Sequence, residues 1–270
     1  MPLFEFELAN IDGIVPWGTP PNQNLHWFGL TDGCYHMDVH GNKLFQYSEE
    51  ILAHWKAKNH DLKNCFFVDY QVARFWEDVL EILPTILNPI PDELHRLIAT
   101  PEVQAAYEAR MESSIDDTAE EEEIELFILA TDWIRCRYFR SLHLVEGPSI
   151  FIFRHRDEIT IRWDNEGKCI DGIKVWSNQK GEERFSIASF VMEVRSFHER
   201  LMEAMDSRLA AMLNDNPIPS VNVDMIALAD DHRERKSWLA KELHGHETPI
   251  NKEVILGAIT RLRGDQRGEA

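Results

Sequence analysis

Cys34, His36, Asp38 and His40 recur at every second position of one short segment. If that segment is a strand, all four project from one face, and Tyr35, Met37 and Val39 project from the other. Each of the four side chains can ligate a metal ion. Strand neighbours two apart sit about 6.6 Å from one another, so one tetrahedral ion reaches only an adjacent pair. His36, Asp38 and His40 are the candidate metal ligands. His26, or the remote His244–Glu247 stretch, would have to complete the shell. The ordinary alternative is the polar face that any half-buried strand carries.

Other chemistry finds less support. No Gly-x-Ser-x-Gly elbow is present, and Cys34 with His36, or Cys136 with His143, are the only Cys–His pairs that suggest themselves. Adjacent carboxylates are too abundant for any pair to stand out as an acid–base couple. No glycine-rich loop precedes a helix, so phosphoryl transfer and dinucleotide binding have no support, and no cofactor is expected. Arg135 and Arg137 close an acidic helix, and Arg154 and Arg156 follow on a hairpin. Together they could cradle an anion; separately, arginines at a helix C-terminus simply complement its dipole.

Charge speaks more clearly. With 28 Lys+Arg against 47 Asp+Glu, the 270-residue chain carries a net charge of −19. Such a surface repels phosphate backbones and anionic lipid, so nucleic acid and membrane are poor partners. A basic protein partner is the fitting one. Between Arg110 and Arg135 lie nine acids and no base, including Glu120, Glu121, Glu122 and Glu123, the candidate partner-binding residues. A solvated, well-started helix explains the same run. Four cysteines without a CxxC pair predict free thiols in a reducing compartment, and the start MPLFEFELAN lacks a signal-peptide pattern, so a cytoplasmic protein is expected.

The elements that must position these residues follow from periodicity. Residues 3–8 alternate as a half-buried strand. Asp32-Gly33, between LHWFGL and CYHMDV, predicts a hairpin turn, and Gly41-Asn42 a second one. Ser48 caps a short helix to about residue 58. Residues 66–87 predict a helix with Val68, Val72, Phe75, Trp76, Val79, Leu83 and Ile86 on one face and Asp78 elsewhere, bent at Pro84. Helices near 92–99, 101–112 and 118–140 follow. Runs 149–154 and 158–163, then DGIKVW and ERFSI, predict antiparallel hairpins. A helix from Ser189 to about Leu213 carries the stripe Phe190, Val194, Phe197, Leu201, Met205 and Met212, read as core filler. Helices near 230–244 and from Thr248-Pro249 complete the chain.

The predicted fold is α+β: a single antiparallel sheet, built from an N-terminal meander and a mid-chain set of hairpins, covered by several helices. One domain is expected over 1–262, with a frayed tail at 263–270.

The succession LHWFGLTDG, FWEDVLEILP, RHRDEITIRW and FHERLMEAM resembles a bacterial family of unknown function, over most of the chain to about residue 260. The resemblance implies one long domain and no established activity. In that family the position after Asp-Gly is commonly aromatic. Cys34 and His36 stand in that strand here, which weakens a metal site. The functional expectation is an acidic protein-binding module, immunity-like or regulatory. The alternatives are an enzyme with a pocket between the Cys34–His40 strand and the 150–163 hairpin, or an anion or nucleotide sensor.

Overall fold

A computed structural model describes residues 1–19, 22–60, 66–100, 121–214, 218, 221, 223–244 and 252–264. The expected 101–112 helix, Glu120, Cys65, the Thr248-Pro249 helix start and the tail from 265 lie outside the described residues.

The first sheet is built around β2 (Asp32–Val39). Strand β1 (Phe4–Leu8) runs antiparallel along one side, with Phe6 opposite Tyr35. The other side is shared. There β3 (Asn42–Leu44) pairs the far end of β2, and β4 (Val68–Gln71) pairs its start. The second sheet has the order β5 (Ile150–His155), β6 (Glu158–Asp164), β9 (Lys180–Ser186), all antiparallel. A two-stranded ribbon, β7 (Cys169–Ile170) and β8 (Ile173–Lys174), lies between them in sequence.

The α+β class is as expected, but the sheets are separate rather than one. Neither β2 nor β5 has an edge left to join them. Both sides of β2 are occupied, and the free side of β5 is sealed by residues 137–139. Phe139 N–H donates to Ile150 O, and Ile152 N–H donates to Arg137 O. The sheets meet instead through side chains. One apolar core holds Phe4, Tyr35 and Met37 of the first with Ile152, Ile159 and Ile161 of the second.

Helix α2 (Val72–Leu87) packs against both β2 and β5. Its predicted apolar face is buried throughout, and the ring of Phe75 stacks on Tyr35 at 4.4 Å. The helix begins four residues after Val68, because 68–71 are recruited as β4. Before it, α1 (Glu49–Ala57) starts at Ser48, whose Oγ accepts from Ile51 N–H. After it come α3 (Asp92–Ile98) and α4 (Glu121–Arg135). The long α5 (Ile187–Asn214) buries all six residues of its predicted stripe and leaves Met192 exposed. The charged segment divides into α6 (Met225–Arg235) and α7 (Trp238–Leu243), and α8 (Lys252–Gly264) closes the described chain. A second apolar cluster joins α3, α4 and α8 to Phe151 and Phe153 on the opposite face of β5. Both faces of that strand are covered, which accounts for its unbroken apolar run.

Asp32-Gly33 makes no hairpin. Residues 29–31 form a single 3-10 turn and Asp32 opens β2. Glycine is needed at 33 for a different reason: a Cβ there would lie 2.2 Å from Glu7 O, so β1 could not approach. The second turn lies one residue before the predicted Gly41-Asn42, at His40 and Gly41, both at positive φ, and Asn42 already opens β3.

Candidate functional site

The predicted metal residues do not converge. His36 stacks on Phe67 at 4.0 Å. Its imidazole is pushed down to about 4, first by burial and then by Lys43. Asp38 turns back to accept from Gly41 N–H, and His40 has left the strand for the turn, where it meets Glu183 at 3.1 Å. His26 packs against Trp17. Among the described residues no three His, Cys, Asp or Glu side chains gather as a metal site. Cys34 is disulfide-bonded, so the free-thiol expectation fails there and holds at Cys136 and Cys169. The compartment argument loses that support.

The four arginines separate likewise. Arg135 pairs with Asp132, and Arg156 with Asp92. Arg154 donates to the carbonyls of Leu87 and Arg156. Arg137, 2% exposed, lies on the Trp133 ring at 3.6 Å and donates to Trp133 O. Burial pulls its guanidinium down to about 10. Of the glutamates expected to bind a partner, Glu121–Glu123 lie at the start of α4.

Helix α2 carries a cluster of ionisable side chains. Arg74, Glu77, Asp78 and Glu81 stand at i, i+3, i+4 and i+7 and form one stripe. On its inner side Asp78 is 2% exposed. It faces His143 of the 136–149 connection, Oδ2 to Nδ1 at 3.8 Å, and Arg74, Oδ1 to Nε at 3.3 Å. The other imidazole nitrogen, Nε2, lies 2.7 Å from the Tyr35 hydroxyl. Yet both Asp78 oxygens, His143 Nδ1 and Arg74 Nε find no hydrogen-bond partner among the described residues. Such groups are rare in folded proteins, and four in one place mark an unusual site.

Burial dominates the electrostatics here. It pushes the Asp78 carboxyl up to about 8, against the pull of Arg74 and with a further push from Glu81 and Glu77. It drives the His143 imidazole down to about 4, helped by Arg74. Tyr35 is raised well above its ordinary value, mainly by burial and then by Asp78. At neutral pH the trio is thus largely uncharged, which is how a dry interior tolerates it.

On its outer side the stripe borders a groove of about 440 Å³ between α2 and α7, lined by Glu77, Leu80, Glu81, Pro84, Trp238 and Glu242. Among the described residues three carboxylates and no basic side chain line it. The floor is apolar. Arg235 lies behind the groove, against the Trp27 and Trp238 rings at 4.5 and 4.6 Å, and its guanidinium holds Glu77 at 2.6 Å. Glu81 pairs with Arg140 at the rim. Glu242 has no ion partner among the described residues. A wider depression of about 630 Å³ at the start of α1 sets Lys174 beside Glu49 and Glu50, so its charges favour no one ligand.

Neighbouring contacts keep α6 and α7 in place. Trp27 Nε1–H donates to His232 Nδ1, which leaves Nε2–H to donate to Asp206. Trp76 Nε1–H likewise donates to His198, and its ring stacks on Trp238. No described helix is long and apolar enough to cross a membrane. No curated protein and no solved structure matches the chain. A family model does, over residues 3–258, nearly the whole length, and the chain belongs to that family of unknown function, DUF5984.

Proposed function

We propose that the protein is an acidic protein-binding module, immunity-like or regulatory, whose α2–α7 groove receives a lysine or arginine side chain of a basic partner. The observation that supports this reading is the lining of that groove, where Glu242, without an ion partner among the described residues, stands with the arginine-paired Glu77 and Glu81 around Leu80, Pro84 and Trp238. Long cationic side chains bury their aliphatic stems on apolar surface and keep the charged head at carboxylates. A net charge of −19 adds long-range steering of such a partner. A catalytic reading of the neighbouring buried trio has less support, because Tyr35 at 1% and Asp78 at 2% exposure offer a substrate no approach. The anion-sensor reading lacks a cradle, each of its arginines being engaged elsewhere.

The test uses an octa-arginine peptide as the basic probe and the assigned indole N–H of Trp238 as the reporter. The Trp238 signal is expected to move on titration. Affinity should fall by about tenfold between 50 and 300 mM salt. Replacing Glu81 and Glu242 together by Gln should weaken binding, while the same change at Glu49 and Glu50 should not. A stationary Trp238, or equal affinity for the two double variants, overturns the reading.

A further inference from the structure

The groove and the buried trio share one helix and one arginine. Arg74 stands 3.8 Å from Glu77, which lines the groove, and 3.3 Å from Asp78, which does not. Its positive charge is divided between them. Among the described residues neither Asp78 oxygen has a hydrogen-bond donor of its own, so the ionised form of this carboxyl depends on the surrounding field. Charged and titratable groups from four parts of the chain set that field. Arg74, Glu77 and Glu81 come from α2, Arg140 and His143 from the 136–149 connection, Tyr35 from β2, and Tyr70 from β4 beside the His143 ring.

We propose that docking and protonation are linked at this helix: a cation seated among Glu77, Glu81 and Glu242 drives the proton of Asp78 into the buffer, and the ionised carboxylate tightens the cation's hold. This rests on the groove being the docking site. Two effects run the same way. The cation adds positive charge beside Glu77 and Glu81, the two arginine-paired glutamates that oppose ionisation of Asp78, and by engaging Glu77 it leaves Arg74 to Asp78. Linkage makes the coupling reciprocal, so a lowered Asp78 midpoint is matched by the same factor in affinity. With Asp78 pushed up to about 8, the change falls in a range where guanidinium groups keep their charge.

The experiment follows the Asp78 side-chain carbon by NMR from pH 6.5 to 10, with and without octa-arginine, reading the Trp238 indole in the same samples. The Asp78 midpoint is expected to fall by about half a unit on saturation, and affinity to rise about threefold between pH 7 and 9.5. In Asp78→Asn the probe should still move Trp238 while the gain with pH disappears. Calorimetry in buffers of different ionisation enthalpy should show proton release by the unmutated protein, which requires no variant to fold. If Trp238 never moves, the docking reading fails and the linkage with it. If Trp238 moves while the Asp78 midpoint stays fixed and no proton is released, the linkage alone is overturned.

Discussion

Asp78 binds a proton in the folded protein at pH values where the unfolded chain has lost it, since its carboxyl is pushed from the usual 3.8 to about 8. The native state therefore holds more protons across that window, and stability falls as pH rises through it. His143 acts oppositely. Its value is pushed from 6.5 to about 4, so the unfolded chain takes up a proton first, and stability is lost as pH falls through that range. The two slopes oppose below pH 6.5, and above it Asp78 acts alone. Urea denaturation should show stability falling by up to about 2 kcal/mol from pH 6.5 to 8, at about 1.4 kcal/mol per unit. Asp78→Asn should remove that slope; an unchanged slope would mean the carboxyl is not the titrating group. The helical period sets Asp78 off the apolar face of α2, and the structure nevertheless buries it. A clue lay in its flanks, Phe75-Trp76 before and Val79-Leu80 after, which leave little solvated arc. Its contact with His143, 65 positions away, has no local signature, and neither has the Tyr35 hydroxyl beyond it.

Elements were legible where one side of a periodic segment meets one core. The stripe of α5 and the apolar face of α2 are in that class, and so is the Ser48 cap. The failure at Asp32-Gly33 came from a residue pair that fits two structures. Asp-Gly suits a tight turn, but a glycine also admits a close backbone neighbour, and here the neighbour is β1. These roles are separable by substitution. Gly33→Ala should cost about 1–3 kcal/mol by overpacking and weaken amide-exchange protection across β1. Gly41→Ala meets no atom within 4 Å but must hold a φ of +92°. It should cost about 1–2 kcal/mol and leave β1 protected. Equal loss of β1 protection in both variants would contradict the close-approach role. The joining of the sheets was illegible for a related reason. Antiparallel pairing is suggested by short loops, but which edges remain open depends on bridges such as Tyr138 to Phe151 that no periodicity announces.

At the scale of the whole molecule the acid excess is distributed by pairing. Arg235, Arg140 and Arg74 each stand against carboxylates of α2, and Lys236 against Asp206, so bases are spent holding helices and the remaining acids give the surface its sign. That sign was readable from composition alone, whereas the place where it becomes a groove was not. The sealing of β5 by residues 137–139 has one more consequence. It leaves β9 as the second sheet's outer strand, and this strand turns Lys180, Glu182 and Arg184 to solvent. A foreign strand laid along that border would have to strip water from three charges before gaining a single ladder bond. Changing Lys180 and Arg184 together to Val should lower the temperature at which light scattering rises while far-ultraviolet dichroism stays the same. The border thus behaves as a guard against fibrous self-association, with the vulnerable flank sewn shut from within and the remaining one kept wet.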